Sequence, residues 1–499
     1  MAERGCFGGI VMELRQRFAM LQCARQYGNP MPQPKPTEDQ LVAIRGIHGL
    51  QEISLCASFH GAAGTGKTTT LQLASKKLNP QLTVFLTPTH KAGSVLREKM
   101  RNFKVLTVAS FIGQKGKKHE DQTVFEKPSI VRVKELARQW KQKSLALVIV
   151  DESSMVSQET ANLIQLIVDE CEAGLLFSGD PYQLPPVEST VHDEDGDEVE
   201  FIYSKNMCHQ FDRNKKNFSL TEVLRHSGPV LDYATSIRND FFNFHTFPGR
   251  GVVDEESSIH VYRHKSEWMR SFFEFCRSYG LDARAVTHTN TECRFLTKAL
   301  RFDLHGDKAL SCWTPGETIA FPKYTELPSA EPGVLSQIIY SQTEAVVERV
   351  DLVDLDFTFG KPLEYCAPSG QARELSVRLE GKFQCLTLRK DFMIFTAYCP
   401  LLDDEIVRKQ RRAFKRKIGD LKKYKVPLDD LFWAAVREYD KYFPIIYSAS
   451  VMTVHKSQGS TFKHVFVDSD VNRCTSDYRN SLLYVAATRA SKSVHFDCS

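Results

Sequence analysis

An α/β fold, with parallel strands feeding flanking helices, is what this 499-residue sequence predicts, and three stretches predict it. ISLCASF at 53–59 is a strand-like apolar run. It leads into GAAGTGKTTT at 61–70, a complete G-x-x-x-x-G-K-[ST] phosphate loop, after which TLQLASKKL at 70–78 reads as a helix. Strand, loop and helix in that order are the context such a loop needs, which disfavours a chance glycine-rich turn. LVIVDESSM at 147–155 is a second apolar strand, ending in the adjacent carboxylates Asp151 and Glu152.

Each element carries its own chemistry. Gly61, Gly64 and Gly66 let backbone N–H groups curl around phosphates, with Thr65 inside the loop and Thr69 in the first helical turn. Lys67 offers a point charge to the β- and γ-phosphate oxygens, and the Thr68 hydroxyl can sit on a magnesium ion. Asp151 is placed to hold the same Mg2+ through its shell, leaving Glu152 to orient or deprotonate the attacking water. Together they imply a nucleoside triphosphate bound with Mg2+ and hydrolysed.

Composition bounds the rest. The chain exceeds one typical core, so about two to four domains are expected. Its 42% hydrophobic and 25% charged residues are ordinary for a soluble globular protein. No run approaches the ~18 apolar residues that cross a bilayer, and MAERGCFGGIVMELRQRF lacks the apolar core of a signal peptide. The 13 cysteines are scattered with no CxxC pair, which argues against a zinc ribbon and fits a reducing, cytosol-like compartment. A net charge of +4 announces no nucleic-acid binder, so that case must rest on local features.

Further motifs follow. FSGDPYQLPPV at 177–187 ends a strand at Gly179-Asp180 and places Gln183 three residues on. A neutral amide there can bond a terminal phosphate and report its loss; alone, the stretch also reads as a Pro-, Gly- and Asp-rich turn. LTEVLRHS at 220–227 sets Arg225 in a helical context, and LLYVAATRASKSV at 482–494 sets Arg489 at the start of a helix. An isolated arginine is usually a solvated charge, but two distant ones can be brought against a γ-phosphate as fingers.

In order, GAAGTGKT, LTPTHKA, DESSM, GDPYQLPPV, LTEVLRHS, TVHKSQGST and YVAATRA resemble the motif series of superfamily 1 helicases, in the RecD/Dda/Pif1-like 1B branch that runs 5′→3′. The resemblance covers about Thr37 to the C-terminus, and Gln40 in TEDQ matches its adenine-reading glutamine. It implies two RecA-like P-loop NTPase domains with ATP between them, and Lys67, Glu152, Gln183, Arg225 and Arg489 as the catalytic set. Gln458 and Gly459 in TVHKSQGST join the nucleotide site. It also implies single-stranded DNA across both domains, met by Thr89, His90, Lys91, Thr107 and Ser110 in the first and by Thr453, His455 and Lys456 in the second.

The implied layout is an N-terminal extension (1–36), domain 1A (37–110 and 144–245) with insert 1B (111–143), and domain 2A (246–345 and 446–499) with an SH3-like insert 2B (346–445). Insert 1B reads as a hairpin whose tip lies around Gly116 and the polar run 117–122, and Phe125 is its candidate duplex-splitting wedge, against an anchoring role in a small core. The acidic run at 192–200 reads as a solvated loop, and the basic run at 408–425 as an amphipathic helix, solvated or against phosphates. A forked DNA substrate, a single-strand-binding protein or replisome component as partner, no membrane, a monomer, and the cytoplasm of a bacterium or phage-infected cell complete the expectation. Two alternatives stay open: an ATP-driven translocase that strips proteins without unwinding, and an RNA helicase.

Overall fold

The structure is a computed structural model. It describes residues 35–499 apart from 120–121, 127, 193–197, 204–215, 225–226, 244, 322–324, 328–336, 340–342, 367–371, 392, 401–443, 445 and 475–477.

The first unit runs α1 (Glu38–Leu50), β1 (Cys56–Gly61), α2 (Lys67–Ser75), β2 (Thr83–Thr87), α3 (His90–Lys99), β3 (Lys104–Thr107), a hairpin of β4 (Lys115–His119) and β5 (Gln122–Glu126), and α4 (Ile130–Gln142). It continues through β6 (Leu147–Val150), α5 (Gln158–Glu170), β7 (Gly174–Gly179), a hairpin of β8 (Val187–His192) and β9 (Glu198–Tyr203), and β10 (Lys216–Leu220). Six strands form one parallel sheet in the order β10-β1-β7-β6-β2-β3. TVFLT, LVIV and GLLFSG in β2, β6 and β7 are buried along their whole length, because helices cover both faces. Ile47, Leu71 and Leu96 pack on one face with Phe59, Phe85 and Ile149. Val133, Ile164 and Val168 pack on the other with Val84, Val148 and Val150.

The second unit begins with α6 (Gly228–Asn239), β11 (Val252–Val253), β12 (Ser258–Tyr262), α7 (Lys265–Tyr279), β13 (Ala283–Thr287) and α8 (Asn290–His305). An insert then carries β14 (Thr318–Ala320), β15 (Thr325–Leu327), β16 (Gln337–Ile339), β17 (Glu344–Cys366), β18 (Ala372–Lys390), β19 (Met393–Pro400) and β20 (Tyr447–Ser448). The chain closes with β21 (Val451–Thr453), β22 (Phe462–Val467), α9 (Arg479–Ala487) and β23 (Ala490–Asp497). The second sheet has the order β11-β12-β23-β22-β13-β21 and is parallel except for β11. The architecture is therefore two RecA-like α/β units with added inserts.

Three boundaries differ from the sequence reading. Helix α4 packs in the first core through Val133 and Ala137, so only the hairpin protrudes from 111–143. Helix α6 packs Val230, Ala234 and Ile237 with Ile259, Leu482 and Phe496, which moves the junction from 245 to the stretch between β10 and α6. The antiparallel insert sheet, β19-β18-β17-β14-β20, starts at β14 rather than 346, and Trp313, Ile319, Val347, Leu386 and Phe395 form its core. Hydrogen bonding in this sheet ends at β19 and β20 among the described residues. The basic run at 408–425 lies outside the described residues. The acidic run spans the end of the β8–β9 hairpin, and its residues 193–197 also lie outside.

His495 on β23 is 1% exposed between the rings of His260 (4.5 Å) and Phe466 (4.1 Å). Its Nε2 meets Ser493 Oγ at 2.7 Å and its Nδ1 meets Tyr262 Oη at 3.1 Å. Burial, with His260 and His464 nearby, pushes its pKa down to about 2. The unfolded chain takes up this proton near pH 6.5 and the folded chain does not, so stability is fully present above that pH and falls below it. One such group contributes about 2 kcal/mol between pH 6.5 and pH 5. Denaturant titrations at pH 7 and pH 5 should show a wild-type loss of that size, and a smaller loss in His495→Gln; equal losses would mean other groups set the pH dependence.

Candidate nucleotide site and strand-facing track

In the first sheet β7 lies between β1 and β6. The loops leaving the C-terminal ends of these three neighbours therefore converge: the phosphate loop, the Asp180–Gln183 turn and the Asp151–Glu152 pair. This is where open parallel sheets bind ligands. Gly64 and Gly66 take φ of +88° and +84°, the left-handed region that favours glycine. At Gly66 a Cβ would also stand 2.8 Å from Gln40 Nε2. Gly61 closes β1, Thr65 is buried, Thr68 is half-buried and Thr69 is exposed on α2.

Lys67 is buried, and its Nζ donates to the carbonyls of Gly61 (2.8 Å) and Ala62 (3.1 Å). Burial pulls its pKa down against the opposing charges of Asp180, Glu152 and Asp151. Gln40 braces the loop: Nε2 donates to Thr65 O at 3.3 Å, and Oε1 accepts the Thr37 N–H at 3.1 Å in the capping box of α1. Both ends of the amide that sequence assigned to adenine are thus engaged within the protein.

Asp151 is 7% exposed, and Ser178 Oγ donates to its Oδ1 at 3.0 Å. Burial, then the charge of Glu152, raises its pKa to about 6. A buried carboxylate at the end of β6 and a hydroxyl in the first turn of α2 are the hard-oxygen donors magnesium takes. Glu152 follows in the left-handed region, φ +54°, and its Oε2 is buried without a hydrogen-bond partner among the described residues. Such strain clusters at functional positions.

The second unit closes over these loops. Gln183 Oε1 accepts from Gln458 Nε2 at 3.2 Å, so the two expected sensors pair directly. Gly459, φ +78°, is exposed beside them. Arg489 is 2% exposed and follows α9, just before β23, rather than starting a helix. Its Nε, Nη1 and Nη2 donate to Val485 O (3.0 Å), Ser460 O (3.1 Å) and Thr488 Oγ1 (3.1 Å), all within its own unit. Arg225 lies outside the described residues, although neighbouring Leu224 N bonds Gly64 O at 2.9 Å.

Sequence reasoning missed three residues here. Asp180 and Tyr484 lie inside the motifs it quoted but were given no role, and they bond each other across the cleft at 2.8 Å. Arg238 on α6 stacks its guanidinium 4.9 Å from the Tyr182 ring and lines a cavity of about 420 Å³ with His60, Ala62, Ala63 and Tyr484. No local pattern marks Arg238, because only the packing of α6 brings it there.

The threonines assigned to nucleic acid, together with Thr289, share one local device in both sheets. Thr89 caps α3 by accepting the Ala92 N–H at 3.2 Å, and Thr289 caps α8 by accepting that of Glu292 at 3.2 Å. Thr107 and Thr453 each cap a short helix, from Ser110 N (3.2 Å) and Lys456 N (3.4 Å). The first pair follows β2 and β13, and the second follows their neighbours β3 and β21, so the edge of each sheet presents two capped helix starts. Such ends favour phosphate oxygens. Lys456 Nζ bonds Asn290 Oδ1 at 3.4 Å. Burial, with His288 and Lys456, pushes the His455 pKa down to about 3, so it presents a neutral ring. Burial, with Arg97, lowers that of His90. The side chain of Lys91 lies outside what the structure describes. Phe125 pairs with Gly116, and His119 with Gln122, so Phe125 and Gly116 sit three rungs back from the turn and not at the tip.

A family model of the AAA domain matches residues 36–195, and one of the UvrD-like helicase C-terminal domain matches 448–496. The ATP-dependent DNA helicase dda of Enterobacteria phage T4 is 24% identical over 462 residues, 88% of this chain and 93% of that protein. An uncharacterized protein of Acanthamoeba polyphaga mimivirus is 21% identical over 485 residues, 87% of this chain and 94% of that protein. Among solved structures, the Pif1 helicase from Candida albicans is 17% identical, covering 93% of this chain and 94% of that one with a TM-score of 0.48.

Proposed function

We propose that this chain, which belongs to the superfamily 1B helicases of the Dda- and Pif1-like branch, is an ATP-dependent DNA helicase that moves 5′→3′ on a single strand and separates the duplex ahead of it. The observation that carries this reading is the convergence of Lys67, Asp151, Glu152 and Gln183 at three adjacent strand ends, with Gln458 and Tyr484 of the second unit bonded across the cleft. Lys67 and the loop amides bind the phosphates of ATP. Thr68 and Asp151 would hold Mg2+, which would supply positive charge to neutralise the phosphates. Glu152 takes the proton of the water that attacks the γ-phosphorus, and its unpartnered Oε2 is the acceptor. Gln183 and Gln458 register loss of the γ-phosphate by exchanging partners. Arg489, with Arg225, stabilises charge on the transferred group.

Motion follows from placing an equivalent pair of capped helix starts on each unit. Thr89, His90, Lys91, Thr107 and Ser110 hold the DNA backbone on one side and Thr453, His455 and Lys456 on the other, so opening and closing the cleft shifts one grip relative to the other. Both grips lie in one chain, which supports action as a monomer. A fork, with a single-strand-binding protein or replisome component nearby, is the substrate setting we assign. Nine cysteines among the described residues are thiols rather than disulfides, which fits the reducing cytoplasm of a bacterium or phage-infected cell. The hairpin β4–β5 remains the candidate wedge, with Phe125 on β5 the residue to test.

Strand displacement on duplexes with 5′ or 3′ tails tests the reading. We expect ATP-dependent separation of the 5′-tailed duplex, no separation by Lys67→Ala, and little on 3′ tails. Exclusive 3′-tail activity would overturn the polarity, and ATP hydrolysis without displacement on either substrate would favour the translocase alternative.

A further inference from the structure

We propose that Tyr484 is a positioning residue through which the second unit holds the phosphate loop and the Gln183 turn together, so that cleft geometry is transmitted to the nucleotide. The inference rests on the ATPase reading above and adds a role to a residue outside the phosphate-binding set.

Tyr484 projects from α9, yet its hydroxyl lies among first-unit groups. It accepts the Ala63 N–H of the phosphate loop at 2.9 Å and donates to Asp180 Oδ2 at 2.8 Å. Ala63, Asp180 and Tyr484 are 5%, 0% and 2% exposed, so water does not substitute for any partner. The proton roles are fixed by chemistry. An amide N–H can only donate and an ionised carboxylate can only accept, so the phenol proton is committed to Asp180. Burial, with the Asp180 charge beside it, holds the Tyr484 pKa well above that of a free phenol, which keeps the proton in place.

The chain continues on both sides. Asp180 Oδ1 accepts the Tyr182 N–H at 3.2 Å, and Asp180 O accepts the Gln183 N–H at 3.1 Å. One carboxylate thus shapes the turn that presents Gln183 to Gln458. On the other side, Thr488 Oγ1 donates to Tyr484 O at 2.8 Å and accepts from Arg489 Nη2 at 3.1 Å. Phosphate loop, Gln183 turn and Arg489 therefore meet at one hydroxyl and the helix end that carries it. Hydrogen bonds fade within a few tenths of an ångström of their optimum, so both bonds survive at only one separation of the units. A shift of α9 releases the Ala63 amide and the Asp180 oxygen at once.

Tyr484→Phe removes the hydroxyl and keeps the ring that packs in the second core. The readout is the ratio of ATP turnover with saturating single-stranded DNA to turnover without it. We expect that ratio to fall by about tenfold, the scale of one hydrogen bond to a charged group. Asp180→Asn should lower it similarly, and the double variant should fall no further than either single one. A lower basal rate with an unchanged ratio would mark a merely structural role and overturn the proposal, as would additive losses in the double variant. If Tyr484→Phe does not fold, the ratio in Asp180→Asn decides alone. A wild-type protein that hydrolyses no ATP would instead sink the reading on which the proposal rests.

Discussion

Glutamine at position 152 should leave ATP bound and unhydrolysed, with turnover on saturating single-stranded DNA down by about 10²-fold or more, the scale of a lost general base. The side chain keeps its length and its place at the strand end but can no longer take a proton. Binding should persist because Lys67, the loop amides and Asp151 are untouched. Lys67→Ala should differ by weakening nucleotide binding as well, since it deletes the charge that faces the phosphates. Nucleotide retention and single-turnover hydrolysis separate the two variants. Wild-type hydrolysis by Glu152→Gln would reassign the base.

Arg489→Ala should lower DNA-stimulated turnover by about 10³-fold while ATP still binds, because a finger acts on charge that develops in the transition state. The guanidinium now donates to Val485 O, Ser460 O and Thr488 Oγ1. These bonds orient the guanidinium, so arginine's planar fork matters as well as its charge. Arg489→Lys should therefore restore little activity. Full stimulated turnover in the alanine variant, measured with its melting curve, would identify Arg489 as a brace of the loop before β22 instead.

The nucleotide site was largely legible in sequence because its parts are local. A phosphate loop is one strand–turn–helix, and each of Asp151, Asp180 and Gln183 sits where an apolar strand stops. Sheet order alone, with β7 between β1 and β6, then assembles them. What spans the two units was not legible. Tyr484 lies in a quoted motif, but only the fold shows its hydroxyl on Ala63, 421 residues away. The boundary errors have a common origin. Helices α4 and α6 are amphipathic elements whose sequence does not say which sheet they cover, and packing settles it through Val133 in one case and Ile237 in the other. Phe125 was named as the wedge from its apolar character alone; the register that sets it opposite Gly116 depends on the turn, which polar sequence around 117–122 does not specify.

The left-handed backbone at Glu152 sets chemistry against fold. A non-glycine residue there costs about 1–2 kcal/mol, and the unpartnered buried Oε2 adds about 1–3 kcal/mol. A domain's whole margin is about 5–15 kcal/mol, so this one position consumes a sizeable fraction of it. Glycine, which relieves the backbone and removes the stranded oxygen, is expected to stabilise the chain, and it cannot act as a base. Selection for heat resistance alone should therefore drift toward inactive proteins at position 152, and a thermostable version of this motor has to gain its stability elsewhere.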